Sequence, residues 1–312
     1  MFCRALREQA ITPRRRRAGV RIRMRGTGKD PSAVLAAEIG PDCRAAAFPI
    51  EETCARVISN HAVNPEYFHL SLVATPGMLA AVPGQFFHLQ CPGGNGDSPL
   101  LRRPMSIYRI NANEQRIEFL YKVTGAGTRG LSRLVAGDAL NVLGPLGRGF
   151  QLRAPLRHVL FAARGVGMAT MAPLAEAGIG AGARVTGVLS ARNADLVMSE
   201  DYLRSVGATT HVVTDEAGTS AAGDIEILIR RIHDRQPIDL LATCGSNRIL
   251  QVVKSLASDL NIAGQVALEQ HMGCALGMCF CCVRAFRIED KITYRRVCFE
   301  GPVFDVRETI SW

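Results

Sequence analysis

Residues 158–177, HVLFAARGVGMATMAPLAEA, set the architecture of the second half of the chain. The opening HVLFAA is a short apolar run suited to a strand buried on both faces. It runs into Arg164-Gly165-Val166-Gly167 and then a helix-length segment. A buried strand, a Gly-x-Gly turn and a helix N-terminus open a parallel, doubly wound sheet, with Gly165 and Gly167 where a nucleotide pyrophosphate can approach the backbone. The pattern then repeats. RVTGVLSA, THVVT and DLLATC are further buried-strand runs, each followed by a helix-length segment, as far as about Gly264. Residues 154–264 are therefore expected to form an α/β NAD-binding domain. Its last run ends at Cys244-Gly245-Ser246-Asn247. Ligands of open α/β sheets bind at the carboxyl ends of strands, so Cys244 is a candidate catalytic residue; the competing reading is a small buried hydrophobe.

Towards the N-terminus the pattern changes. From residue 51 to 153 the apolar runs are short, rich in Val, Ile, Phe and Tyr, and broken by Pro-Gly, Asn-Gly and Gly-Pro, as in ARVISNHAVN, EYFHLSLVA, GQFFHLQC and RIEFLYKV. Even spacing of this kind predicts a small antiparallel β-barrel. Within it stands Arg103-Pro104-Met105-Ser106. A guanidinium able to fork onto a pyrophosphate, a rigid proline and a nearby hydroxyl suit an FAD lying along a strand. Gly125-Ala126-Gly127-Thr128 follows, reading as a glycine turn that opens a helix and binds phosphate. Each piece taken singly is also an ordinary turn.

On the C-terminal side, residues 265–312 are too few for a core of their own and hold five of the ten cysteines. Cys274, Cys279 and Cys282 have the spacing C-x4-C-x2-C, and Cys298 follows after fifteen residues. This is the plant-type spacing for a 2Fe–2S cluster, with three thiolates on one tight loop and a fourth from a more distant segment. Gly273, Ala275 and Gly277 keep the loop small enough for backbone N–H groups to reach the sulfurs. Zinc is the rival reading, but it prefers two short Cys pairs, and the second pair is missing. Cys281 is left as a spare thiol.

The whole chain has 312 residues, is 47% hydrophobic and carries a formal charge of +9. No run of eighteen apolar residues occurs, which excludes a transmembrane helix. Residues 1–30 hold nine Arg and one Lys against Glu8 and Asp30, so +8 of the +9 lies there. The folded body therefore gives no reason to expect nucleic acid. Residues 1–50 are expected to be a basic, disordered arm: a transit peptide, a nucleic-acid arm or an extension of the reading frame. Clustered thiols in a chain of this length predict a reducing, cytoplasmic setting.

Taken in order, GQFFHL, RRPMSIY, LYKVTGAGT, GPLGRGF, CGSN, MGCALGMCFCC and RVCFEGPVF resemble the ferredoxin reductase superfamily, and within it the electron-transfer subunits of NAD-linked dihydroorotate dehydrogenases, over roughly residues 53–305. The resemblance implies that Arg103, Pro104, Met105 and Ser106 hold the FAD ring and pyrophosphate. Leu120, Tyr121 and Lys122 would then lie along its ribityl and adenosine side, with Gly127 and Thr128 at the phosphates. It implies a 2Fe–2S cluster on Cys274, Cys279, Cys282 and Cys298, with NAD(H) as co-substrate. It further implies a separate FMN-containing catalytic subunit, assembled with this chain as a heterotetramer that serves pyrimidine biosynthesis. Arg164 stands where a glycine is usual in such chains, as do Ala275 and Cys281. Two other readings use the same residues: an NAD(P)H-dependent reductase for another partner, such as an oxygenase, and a redox-sensing module without NAD turnover.

Overall fold

The computed structural model describes residues 50–93, 99–153 and 155–310. The expected basic arm falls, but for residue 50, outside the described residues.

The first half is one antiparallel sheet of seven strands. They are β1 (Glu51–Ala62), β2 (Tyr67–Val73), β3 (Phe86–Leu89), β4 (Arg103–Ser106), β5 (Arg109–Asn111), β6 (Arg116–Lys122) and β7 (Ala139–Leu146), ordered β4-β3-β7-β1-β2-β6-β5. β1 turns the corner. Residues from Glu51 to Arg56 pair with β7, those from Val57 to Ala62 pair with β2, and a bulge lies between Val57 and Ser59. A bulge bends its strand and raises the local twist, so the sheet curls into an open barrel around Leu70, Leu72, Phe87, Leu89, Phe119 and Val142.

The second half is a six-stranded sheet of β8 (His158–Arg164), β9 (Arg184–Ala191), β10 (Thr209–Thr214), β11 (Leu240–Cys244), β12 (Ala263–Ala267) and β15 (Val303–Asp305), ordered β10-β9-β8-β11-β12-β15. The first five are parallel, and β15 joins β12 antiparallel. Chain order reverses between β8 and β11, which makes their carboxyl ends a topological switch point. The helix Gly167–Gly180 begins there. Its Ala169 and Ala172 pack with Tyr67, Tyr108 and Leu120 of the barrel, small side chains letting the two halves close on one another.

The C-terminal segment makes a hairpin, β13 (Val283–Ile288) with β14 (Lys291–Arg296), before returning through β15 to the edge of the parallel sheet. Phe286 is fully buried, and its ring centroid lies 4.4 Å from that of Phe304, which ties hairpin to sheet. Among the described residues no helix is long and apolar enough to cross a membrane.

Candidate functional site

A cleft of about 570 Å³ runs where the barrel meets the parallel-sheet half. Its barrel wall holds Pro104, Met105 and Ser106 of β4 and Leu120, Tyr121 and Lys122 of β6, with Thr128 from the helix Ala126–Leu131. Among the described strands β4 stands at the edge of its sheet, hydrogen-bonded to β3 alone, and three of its residues line the cleft. Arg103 and Gly127 lie just behind this lining, and a Cβ on Gly127 would come within 3.1 Å of Arg103 Nε. The Thr128 hydroxyl closes its own turn, accepting from the backbone N–H groups of Thr124 and Gly125 at 2.9 and 3.1 Å. Sequence reasoning missed Asn60. Its Oδ1 accepts from Tyr121 Oη at 3.0 Å, and its Nδ2 donates to the Leu131 and Leu134 carbonyls at 2.8 and 3.0 Å. It thereby ties the Thr128 helix to β6. Apolar walls with polar groups at the edges, beside an edge strand, fit the flat ring system and ribityl chain of a flavin.

The two turns at the switch point pack backbone against backbone. A Cβ on Gly167 would stand 2.4 Å from the Cys244 carbonyl oxygen, and one on Gly245 would stand 2.4 Å from that of Arg164. Gly165 has φ +56°, and its missing side chain leaves room for the Tyr67 hydroxyl. Arg164 does not point into this turn. Its guanidinium crosses the strand ends, donating to Ser190 Oγ at 2.8 Å and pairing with Asp215 beyond β10. The Cys244 thiol lines a second pocket of about 230 Å³, 3.6 Å from Thr170 Oγ1 and 3.9 Å from Glu269 Oε1. Burial pushes its pKa well up, so it stays protonated. Glu269, another residue missed in the sequence, lines both this pocket and the larger cleft.

The four spaced cysteines come together in two pairs. Cys279 Sγ accepts from the backbone N–H of Cys274, and Cys274 Sγ accepts from those of Leu276 and Cys279, all at 3.4 Å. Cys282 and Cys298 are buried with their sulfurs 3.2 Å apart, and Cys282 Sγ accepts from the Cys298 N–H at 3.4 Å. Desolvation acts to raise the Cys274 thiol, but the loop N–H groups outweigh it and bring it down to about 7. Such donors stabilise thiolate charge. Ala275, Gly277 and Phe280 all have positive φ, the contortion that turns successive N–H groups inward. Among the described residues no three His, Cys, Asp or Glu side chains are arranged to hold a single metal ion. Cys274, Cys279, Cys282 and Cys298 would supply the four thiolates that a 2Fe–2S cluster needs, and such a cluster would carry single electrons. Arg296 braces the loop: it donates to the Gly277 carbonyl at 3.2 Å and lies over the rings of Phe280 and Phe299 at 5.3 and 4.8 Å. Cys281 is exposed and lies outside both pairs.

The family model for the iron-sulfur cluster binding domain of dihydroorotate dehydrogenase B matches residues 269–310. An electron transfer subunit of dihydroorotate dehydrogenase B (NAD(+)) from Desulforamulus reducens is 32% identical over 250 residues, 80% of this chain and 95% of its own length. Its namesake from Geobacillus sp. is 34% identical over 232 residues, 73% of this chain and 86% of its own. Among solved structures, an NADH-dependent reduced ferredoxin-NADP oxidoreductase matches with a TM-score of 0.69 and 24% identity, over 82% of this chain and 89% of that one. The ferredoxin-NADP+ reductase of Plasmodium falciparum matches with a TM-score of 0.54 and 13% identity, over 67% and 90%. With 32% and 34% identity over most of the length of each of these relatives, this chain belongs to the family of dihydroorotate dehydrogenase B electron transfer subunits.

Proposed function

We propose that this chain passes electrons between an FMN-containing dihydroorotate dehydrogenase subunit and NAD(+). The barrel, residues 51–153, would carry FAD; residues 154–264 would receive the nicotinamide nucleotide; residues 265–312 would carry the 2Fe–2S cluster. Hydride moves as an electron pair, a flavin accepts pairs and releases single electrons, and an iron–sulfur cluster carries one. The observation that supports this order most is the position of the large cleft. It touches the switch point through Val166 and Ala169 on one side, and the start of the cluster segment through His271 and Met272 on the other.

The chain's own residues have distinct tasks in this reading. Pro104, Met105, Ser106, Leu120, Tyr121 and Lys122 line the flavin cleft. Arg103, Gly127 and Thr128 shape its phosphate end, Thr128 by fixing the turn. Gly165 and Gly167 let the nucleotide approach the backbone. Cys244, uncharged, packs against the nicotinamide and excludes water. Cys274, Cys279, Cys282 and Cys298 ligate the cluster. Around that loop Met278 is 79% and Phe280 62% exposed, beside the partly exposed Leu276 and Phe299. Contiguous apolar surface of this kind favours a protein partner, and the catalytic subunit docks there. Exposed thiols at Cys54, Cys279 and Cys281 suit the reducing cytoplasm.

Cofactor analysis tests this reading. Protein purified without oxygen should hold one FAD and one 2Fe–2S cluster per chain, and NADH should bleach the flavin band. Stoichiometric zinc without acid-labile sulfide would contradict it.

A further inference from the structure

A third pocket, of about 260 Å³, opens at the carboxyl ends of β8, β9 and β11, walled by Gly165 and Gly245 and by Lys122, Arg164, Arg192 and Glu66. The charges divide unevenly. Arg164 is balanced by Asp215, which also accepts from Ser220 and faces Arg248 at 3.5 Å. Lys122 and Arg192 remain, and both lean on one carboxylate. Lys122 Nζ lies 2.6 Å from Glu66 Oε2, and Arg192 pairs with Glu66 Oε1. Glu66 Oε2 is shielded from solvent, and its contact with Lys122 is an ion pair without hydrogen-bond geometry. Two cations sharing one carboxylate leave a single positive charge. With that carboxylate displaced, the pair would match the two negative charges of a pyrophosphate.

We propose that Glu66 is an internal stand-in for the pyrophosphate of the nicotinamide dinucleotide. It holds Lys122 of the barrel and Arg192 of the parallel sheet until the nucleotide displaces it. This rests on the reading that the chain uses NAD(H). The exchange is favoured because a pyrophosphate brings two negative charges and more acceptor oxygens to the guanidinium and the ammonium than the single Glu66 carboxylate does. The pocket is also where ligands of an open α/β sheet enter. Glu66 therefore sets nucleotide affinity without contributing to the nucleotide's binding: it competes with it.

The test is calorimetric titration of the FAD-loaded protein with ADP-ribose, which carries the pyrophosphate and no reducible ring. Arg192→Gln should weaken ADP-ribose about tenfold, the scale of one lost hydrogen bond to a charged group, with flavin content unchanged. Glu66→Gln should tighten it about threefold to tenfold, and raising the salt concentration should weaken binding to this variant more steeply than to the parent. Unchanged or weaker binding by a flavin-replete Glu66→Gln protein would overturn the proposal. So would parental affinity in Arg192→Gln, a largely exposed position that decides the matter alone if Glu66→Gln loses its flavin. Failure of the parent protein both to bind ADP-ribose and to have its flavin bleached by NADH would instead sink the nucleotide reading itself.

Discussion

Cys279 and Cys281 are separated by one residue and are both exposed, yet only Cys279 shares hydrogen bonds with a second spaced cysteine. Cys279→Ser should abolish or strongly weaken the cluster's visible absorbance and iron content while the flavin stays bound, whereas Cys281→Ser should leave both intact. Equal loss in the two variants would contradict the pairing. Cys244 makes a different demand. Its thiol is protonated and its contacts are with Thr170 and Glu269, so the role proposed for it is one of shape. Cys244→Ala should retain both cofactors yet slow flavin reduction by NADH about tenfold to a hundredfold, the usual cost of misplacing reacting atoms. A parental rate would remove Cys244 from the nucleotide pocket. The gathering of the four cysteines was legible because three of them lie within nine residues, on one loop. Asn60, Glu66 and Glu269 were not. Each acts on groups far off in the chain, Asn60 on Leu131 and Tyr121 and Glu66 on Arg192, and no local pattern marks such pairs.

At the scale of elements, runs of β-branched and aromatic residues between turn residues foretold most strands of the first sheet and β8 to β11 of the second, because strand formation there depends on local pattern and burial, whereas β12 spans the expected boundary at residue 264. The return of the C-terminal segment was not foretold. β15 has three residues and gains its place by pairing with β12, a contact set by the tertiary fold. The Phe286–Phe304 contact that anchors the thiol hairpin is likewise invisible in sequence. Phe286→Ala should cost about 3–5 kcal/mol locally, as for other buried aromatic truncations. Its effect should fall on the lobe first. In a denaturant series the cluster's absorbance should vanish well before the flavin is released, while the parent loses the two closer together. Simultaneous loss in the variant would show that the hairpin is not anchored through this pair. Gly167→Ala should be harmful for a backbone reason, since its methyl would meet the Cys244 carbonyl oxygen at 2.4 Å.

Across the whole molecule, the large cleft lies between the glycine turns of the switch point and the segment that leads into the thiol loop, around which Leu276, Met278, Phe280 and Phe299 are exposed. The proposed function gives this arrangement a route with two separable ends: nucleotide to flavin within the chain, and cluster to partner at its surface. That claim is tested most directly by stopped-flow measurement on the Cys279→Ser protein, with NADH as reductant and the FMN-containing catalytic subunit as electron partner. The route predicts flavin reduction by NADH at a near-parental rate together with failure to exchange electrons with the partner's FMN. Undiminished exchange with the partner after loss of the cluster would show that the flavin communicates with it directly, and would contradict the route.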